Sequence, residues 1–179
     1  MTTNDHSVYG KALFLAAEEA GVIEEIFSDL SCLCELLSQN PDYPKLLDTP
    51  ALSRNEKHRI ITEAFGNLDR LLVNLIMMMS DKGIFYRFER VCHTYGELYD
   101  EYFNIERAEA VTARPMSETQ IDALREKLEK TTGKRIIIKN TVDPDILGGV
   151  RITYSGVQLD NSLKRRLCDI EKSLKNTII

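Results

Sequence analysis

The chain has 179 residues, 43% hydrophobic and 28% charged, with a formal net charge of -5. That is apolar material enough for one core or two small ones, and the acidic balance argues against a nucleic-acid partner, whose phosphates call for basic surface. The longest apolar stretch, residues 71–79, is interrupted by Asn74 and falls far short of a membrane span, which excludes direct membrane insertion through a helix. The start, MTTNDHSVYGKALF, has neither a basic segment nor a continuous apolar one, so no secretory signal is expected, and its acidity disfavours a transit peptide.

Charge is unevenly placed. Residues 1–105 carry 9 Lys and Arg against 17 Asp and Glu, whereas residues 106–179 carry 14 against 11, which suggests two units with different surfaces. The first unit reads as helix after helix. Tyr9, Ala12, Leu13, Ala16 and Ala20 share one helical face, with Phe14 and Leu15 apolar beyond it and Gly21 placed to end the helix. Ile23, Ile26, Phe27, Leu30, Cys34 and Leu37 mark a second face, broken by Asn40-Pro41 and Tyr43-Pro44, which leave room for one short helical turn before Pro50. Ser53-Arg54-Asn55-Glu56 is a capping box opening a helix with Ile60, Ile61, Ala64 and Phe65. Leu68, Leu71, Leu72, Leu75, Ile76 and Met79 mark the next helix, and Val73, Met77 and Met78 add to a face already complete. Phe88, Val91, Cys92, Tyr95, Leu98, Tyr99 and Tyr102 line the last helix, over residues 84–103. The reading is a bundle of about six helices over residues 1–105, with more apolar surface on its first and fifth helices than a bundle needs. Such surface suits either internal packing or a groove for a partner's amphipathic helix.

Beyond Asn104 the period changes to alternation. Residues 109–113 read as a strand, Ser117-Glu118-Thr119-Gln120 as a second capping box, and Ile121, Leu124 and Leu128 as the inner face of a helix closed by Gly133. Residues 135–139 form the most strongly β segment, so strand, helix and strand predict a parallel crossover pair. Asp143-Pro144 turns the chain, Gly148-Gly149 precedes an alternating strand at 150–154, Ser155-Gly156 makes a hairpin loop, and 157–159 returns. Asp160 is placed as an N-cap to a C-terminal helix carrying Leu163, Leu167, Ile170 and Leu174 on one face. The class is therefore α+β overall: an all-α bundle, then a small α+β domain over 106–179 with a mixed sheet and a C-terminal helix.

No chemistry assembles. There is no phosphate loop, nucleophile elbow or dinucleotide fingerprint, and of Asp143, Asp145 and Asp160, which in principle could supply paired carboxylates, two have local work at a turn and a cap. Cys32 and Cys34 project about 200° apart on a helix and do not chelate together. Cys92 and Cys168 read as small buried hydrophobes, and His6, His58 and His93 show no ligand spacing, so no metal, cofactor or catalytic residue is expected and all four cysteines are read as reduced. Lys164-Arg165-Arg166 is the one basic cluster, read as a solvated face rather than an anion site, with a partner-docking patch as the other reading.

One resemblance sharpens this. Asp143-Pro144, Gly148-Gly149, the following strand, and Asp160-x-Ser162-x4-Leu167 are similar to the C-terminal signature of the δ subunit family of F-type ATP synthases, which includes the mitochondrial oligomycin-sensitivity-conferring protein. Tyr9-Gly10-Lys11-Ala12-Leu13-Phe14 resembles that family's opening motif, with Gly10 where an Ala is usual. Ala110-Val111-Thr112-Ala113, Pro115, Met116 and Ser117 resemble its junction motif. The resemblance implies a non-catalytic stator component, one copy per hetero-oligomeric complex, in a proton- or sodium-translocating enzyme. The helical domain would cap the catalytic head by gripping N-terminal helices of α subunits, and the second domain would bind the C-terminal ends of the b subunits. It also implies a peripheral location at the cytoplasmic face of a bacterial inner membrane. The apolar excess, together with the family's use of its first and fifth helices, nominates Tyr9, Leu13, Phe14, Leu72, Ile76, Met78 and Met79 for α-subunit binding. Leu163, Arg166, Leu167 and Ile170 are nominated for the stalk. The alternative is a cytosolic adaptor for another partner's amphipathic helix, and an unrecognised enzyme would have to show substrate turnover.

Overall fold

The structure is a computed structural model that describes residues 5–146, 148–161 and 165. Two compact units divide between Tyr102 and Phe103, three residues before the boundary drawn from the sequence. The first holds α1 (Asp5–Ala20), α2 (Ile23–Gln39), α3 (Asp42–Asp48), α4 (Arg54–Phe65), α5 (Arg70–Asp81), a 3-10 turn (Phe85–Arg87) and α6 (Phe88–Tyr102). The second holds β1 (Ile105–Thr112), α7 (Glu118–Thr132), β2 (Arg135–Val142), a 3-10 turn (Pro144–Ile146), β3 (Val150–Tyr154) and β4 (Val157–Asp160). The α+β class and the mixed sheet are as read from the sequence. The expected C-terminal helix, with Ser162, Leu163, Arg166, Leu167, Ile170 and Leu174, lies outside the described residues.

Both capping boxes form. The Ser53 hydroxyl accepts from the Glu56 amide while the Ser53 amide donates to the Glu56 carboxylate at 2.9 Å, and Ser117 and Gln120 repeat the exchange at α7. Each satisfies two amides that the first helical turn cannot.

In the helical unit, α6 is the hub. Phe88, Val91 and Tyr95 are fully buried against α1 and α2, with Ile26, Leu30 and Leu33 of α2 and Leu72, Ile76 and Met79 of α5 completing the core. Burial leaves the Tyr95 hydroxyl one outlet, the Ile23 carbonyl at 3.0 Å, and pushes its phenol far above the usual tyrosine range, the neighbouring Tyr99 adding to the effect. The inward face of α1 is Gly10, Leu13, Phe14 and Ala17, not the Tyr9, Ala12, Leu13, Ala16 and Ala20 face expected. Helix one is apolar over so much of its circumference that two stripes at helical spacing overlap, and the notch at Gly10 selects between them. A Cβ at Gly10 would lie 2.8 Å from the Thr94 Cβ and 3.1 Å from the Val91 carbonyl, so the missing side chain lets α1 settle directly on α6.

In the second unit the strand order is β2-β1-β3-β4. The parallel pair sets Ile105 beside Arg135, the β1–β3 pair is antiparallel with Ala110 opposite Ile152, and β3–β4 is a hairpin. Both residues of its two-residue loop have positive φ, 46° at Ser155 and 72° at Gly156, the conformation whose twist matches paired strands. Ala108, Ile136 and Ile152 pack with Leu128 of α7, and Leu124, Ile138, Val150 and Tyr154 border them. The first strand begins at Ile105, four residues before the expected start, because its pairing with β2 extends the whole length of the ladder.

Candidate functional site

The nominated α1 and α5 residues divide sharply by exposure. Leu13, Phe14, Leu72, Ile76 and Met79 are buried, Leu72 and Ile76 completely. The expectation that their apolar surface is unspent is therefore corrected: the bundle itself consumes it, since α1 packs against both α6 and α5. Phe14 meets Tyr95 and Tyr102 edge-on, at 5.3 and 5.8 Å between ring centres. Met78 stays accessible, and Tyr9 is half-buried with its hydroxyl accepting from Lys82 Nζ at 2.9 Å.

What α1 leaves in water is a different stripe. Val8 (56% exposed), Ala12 and Leu15 (59%) fall at i, i+4 and i+7, one continuous line on the helix. The Tyr9–Lys82 bond sets the start of α1 beside the end of α5, and Met78 (41%) stands one turn before Lys82. Sequence reading singled out Leu15 but assigned Ala12 to the core, because periodicity identifies stripes without saying which one turns inward.

A second apolar groove, of about 690 Å³, lies between the end of α2, α3 and α4. Leu36 and Leu46 stand half in solvent on it, beside Leu37 and Phe65. The Tyr43 ring meets Phe65 edge-on at 5.6 Å, its hydroxyl is enclosed with no hydrogen-bond partner among the described residues, and burial pushes that phenol up. The prolines here read in the sequence as a break, which hid the groove.

The motif residues of the second unit do structural work. Asp143 anchors the turn after β2: its amide donates to the Thr112 carbonyl at 2.8 Å, its carboxylate accepts from the Asp145 amide at 3.0 Å, and it pairs with Arg151 at 3.8 Å. Pro144 opens the 3-10 turn that buries Ile146, and Gly149, at φ 81°, releases the chain from Gly148 into β3. Asp160, read as an N-cap, is the last residue of β4 opposite Arg151, and the helix it was to cap lies outside the described residues. The stalk nominees Leu163, Arg166, Leu167 and Ile170 lie there too, as does Ser162.

Two brackets escaped the sequence reading. Asn140 donates to the Ala110 carbonyl at 2.8 Å and to the Thr112 hydroxyl at 2.9 Å while accepting from the Met116 amide at 2.9 Å, tying the entry of α7 to the sheet. Glu106 bonds Lys134 at 2.9 Å and accepts from the Ser155 amide at 2.9 Å, so its carboxyl titrates below the usual range, mainly through Lys134. Their partners stand 24 to 49 residues away in sequence, which no local pattern encodes.

The cysteine reading is also corrected. Cys34 of α2 and Cys92 of α6 form a disulfide, and Cys32 is an exposed free thiol. Among the described residues no three His, Cys, Asp or Glu side chains gather as a metal site.

Comparison with known proteins gives these surfaces a context. The family model described as ATP synthase delta (OSCP) subunit matches residues 6–174. ATP synthase subunit delta of Lactobacillus gasseri is 30% identical over 94% of this chain and 93% of its own length. The same subunit of Clostridioides difficile is 30% identical over 95% of each chain, and that of Pelobacter propionicus 31% identical over 93% of this chain and 94% of its own. In solved structures, a chain of the Toxoplasma gondii mitochondrial ATP synthase hexamer shares the fold, with a TM-score of 0.70 at 20% identity over 96% of this chain and 98% of that one.

Proposed function

The chain belongs to the ATP synthase delta (OSCP) subunit family, whose members are non-catalytic structural subunits, and on that footing we propose that it is the stator link between the α/β catalytic head and the b-subunit stalk. In this role it resists the torque of the rotor. The helical unit caps the head by receiving N-terminal helices of α subunits, and the second unit takes the C-terminal ends of the b subunits. The chain sits peripherally, at the cytoplasmic face of a bacterial inner membrane; the three subunits compared above by sequence are bacterial, and no described helix is long and apolar enough to cross a membrane.

The observation that carries the head contact is the solvent-facing line of Val8, Ala12 and Leu15 on α1 with Met78 on the adjoining α5. An apolar stripe on helices already anchored through their opposite faces offers a rigid seat for a partner helix, and rigidity is what a stator requires. The revised contact set is thus Val8, Leu15 and Met78 with Tyr9 at its edge, the buried nominees acting behind it as support.

The test is affinity capture of the tagged chain from its own cells in gentle detergent, with the co-purifying proteins identified by mass. Stoichiometric ATP synthase α, β and b subunits are the expected result. Capture of a different helical protein in their place would overturn the stator role and leave an adaptor.

A further inference from the structure

Cys34 and Cys92 stand 58 residues apart in the chain and form a disulfide between α2 and α6. Elsewhere these two helices are joined without a covalent bond, by the Tyr95 hydroxyl on the Ile23 carbonyl and by the stacked rings of Phe27 and Tyr99, 4.0 Å apart. The disulfide holds the C-terminal half of α2, from which α3 follows directly.

The bond is not sealed in the core. Both cysteines are only partly buried, and Cys34 forms part of the wall of an open cleft of about 410 Å³, with Leu37, Pro41, Pro44, Lys45 and Tyr86 around it. The cleft is large enough for a small thiol to reach the residue at its wall, and access is what separates an exchangeable disulfide from an inert one. The exposed Cys32 does not compete. Two residues before Cys34 on the same helix, it points about 200° away, off the side that meets α6.

We propose that Cys34–Cys92 is a reversible redox staple of the helical unit, opened and closed by exchange with low-molecular-mass thiols and disulfides entering through this cleft. In the opening direction a thiolate RS⁻ bonds to Cys34 Sγ, and the Sγ–Sγ bond breaks with its electron pair leaving on Cys92, which takes up a proton. A second thiolate attacks the R sulfur of the mixed disulfide and releases Cys34 as a thiol after protonation. The pair gains two electrons and two protons, and two RSH become RSSR; closing is the reverse, with RSSR as oxidant. Once open, α2 is held to α6 by packing and the Tyr95–Ile23 hydrogen bond, with no covalent link, and the unfolded chain regains the freedom of an uncrosslinked loop. The staple acts within the helical unit whatever that unit docks against.

The experiment uses the purified full-length chain, treated with dithiothreitol or with oxidised glutathione, then unfolded in N-ethylmaleimide and weighed. With 4 cysteines in the sequence, the reduced chain should take four labels and the oxidised chain two, with the Cys34 and Cys92 peptides joined in a digest. The oxidised chain should melt at least about 5 °C above the reduced one. The Cys34→Ser/Cys92→Ser double variant should melt with the reduced chain and ignore the oxidant, while Cys32→Ser keeps the full response. Dithiothreitol should open the native pair faster than the chain unfolds. Labelling of Cys34 and Cys92 after oxidation, a joined pair involving Cys32 or Cys168 instead, an unchanged melting temperature, or opening no faster than unfolding would each overturn the proposal.

Discussion

Gly10 and Thr94 touch through a gap that only a glycine leaves: a Cβ added at Gly10 would stand 2.8 Å from the Thr94 Cβ. In an isolated helix, Gly10→Ala should stabilise by about 1 kcal/mol through helix propensity. Here the obstacle is a Cβ and a backbone carbonyl, neither of which can swing aside, so overpacking should win and the variant should lose about 1–3 kcal/mol. Urea unfolding of the helical unit measures the sign directly, and a stabilised variant would show that α1 can lift from α6 at little cost.

Met78 and Leu72 share α5 but not an environment, being 41% and 0% exposed. Met78→Glu should leave the melting temperature nearly unchanged and weaken binding to the isolated catalytic head by about tenfold or more, the scale of a well-placed apolar contact. Leu72→Glu places a carboxylate in the core without a partner and should unfold the helical unit outright. If Met78→Glu binds the head normally, the α1–α5 stripe is not the seat.

The Asn140 bracket makes three hydrogen bonds that a leucine of similar size cannot. Asn140→Leu should cost the second unit about 2–4 kcal/mol, since the Met116 amide and the Ala110 carbonyl lose partners in a half-buried setting. Hydrogen exchange should locate the loss at the start of α7, with faster exchange of the Met116 amide.

Glu106 supplies a pH dependence of definite sign. Its bonds to Lys134 and to the Ser155 amide favour the carboxylate, so its folded pKa lies below the ordinary glutamate value of 4.5. The stabilisation is therefore fully present above that value and is lost as the pH falls through the lower, folded pKa. Glu106→Gln should be less stable than the parent at pH 7, with the difference shrinking as the solution is acidified below about pH 4.5. Denaturant titrations of both chains across that range test it, and a gap that holds constant down to pH 3 would show that Glu106 carries no coupled proton.

The reach of the sequence is clear from particular residues. Ser53 with Glu56, Ser117 with Gln120, and Ser155-Gly156 specify helix starts and a hairpin through partners three residues away or less, so the chain alone determined them. It determined equally the change from helical to alternating period near Asn104, hence the α+β class, and the turn residues Asp143, Pro144 and Gly149 that lead β2 into β3. Tertiary structure decided which of two overlapping stripes on α1 turned inward, because only the approach of α6 at Thr94 distinguishes Gly10 from its neighbours. It decided that Leu13, Phe14, Leu72, Ile76 and Met79 are core and that Val8, Leu15 and Met78 face water, that Cys34 finds Cys92, and that Asn140 and Glu106 close brackets across the sheet. Periodicity and capping are local and are written in neighbouring side chains, whereas inward direction, pairing and exposure belong to residues brought together only when distant segments pack.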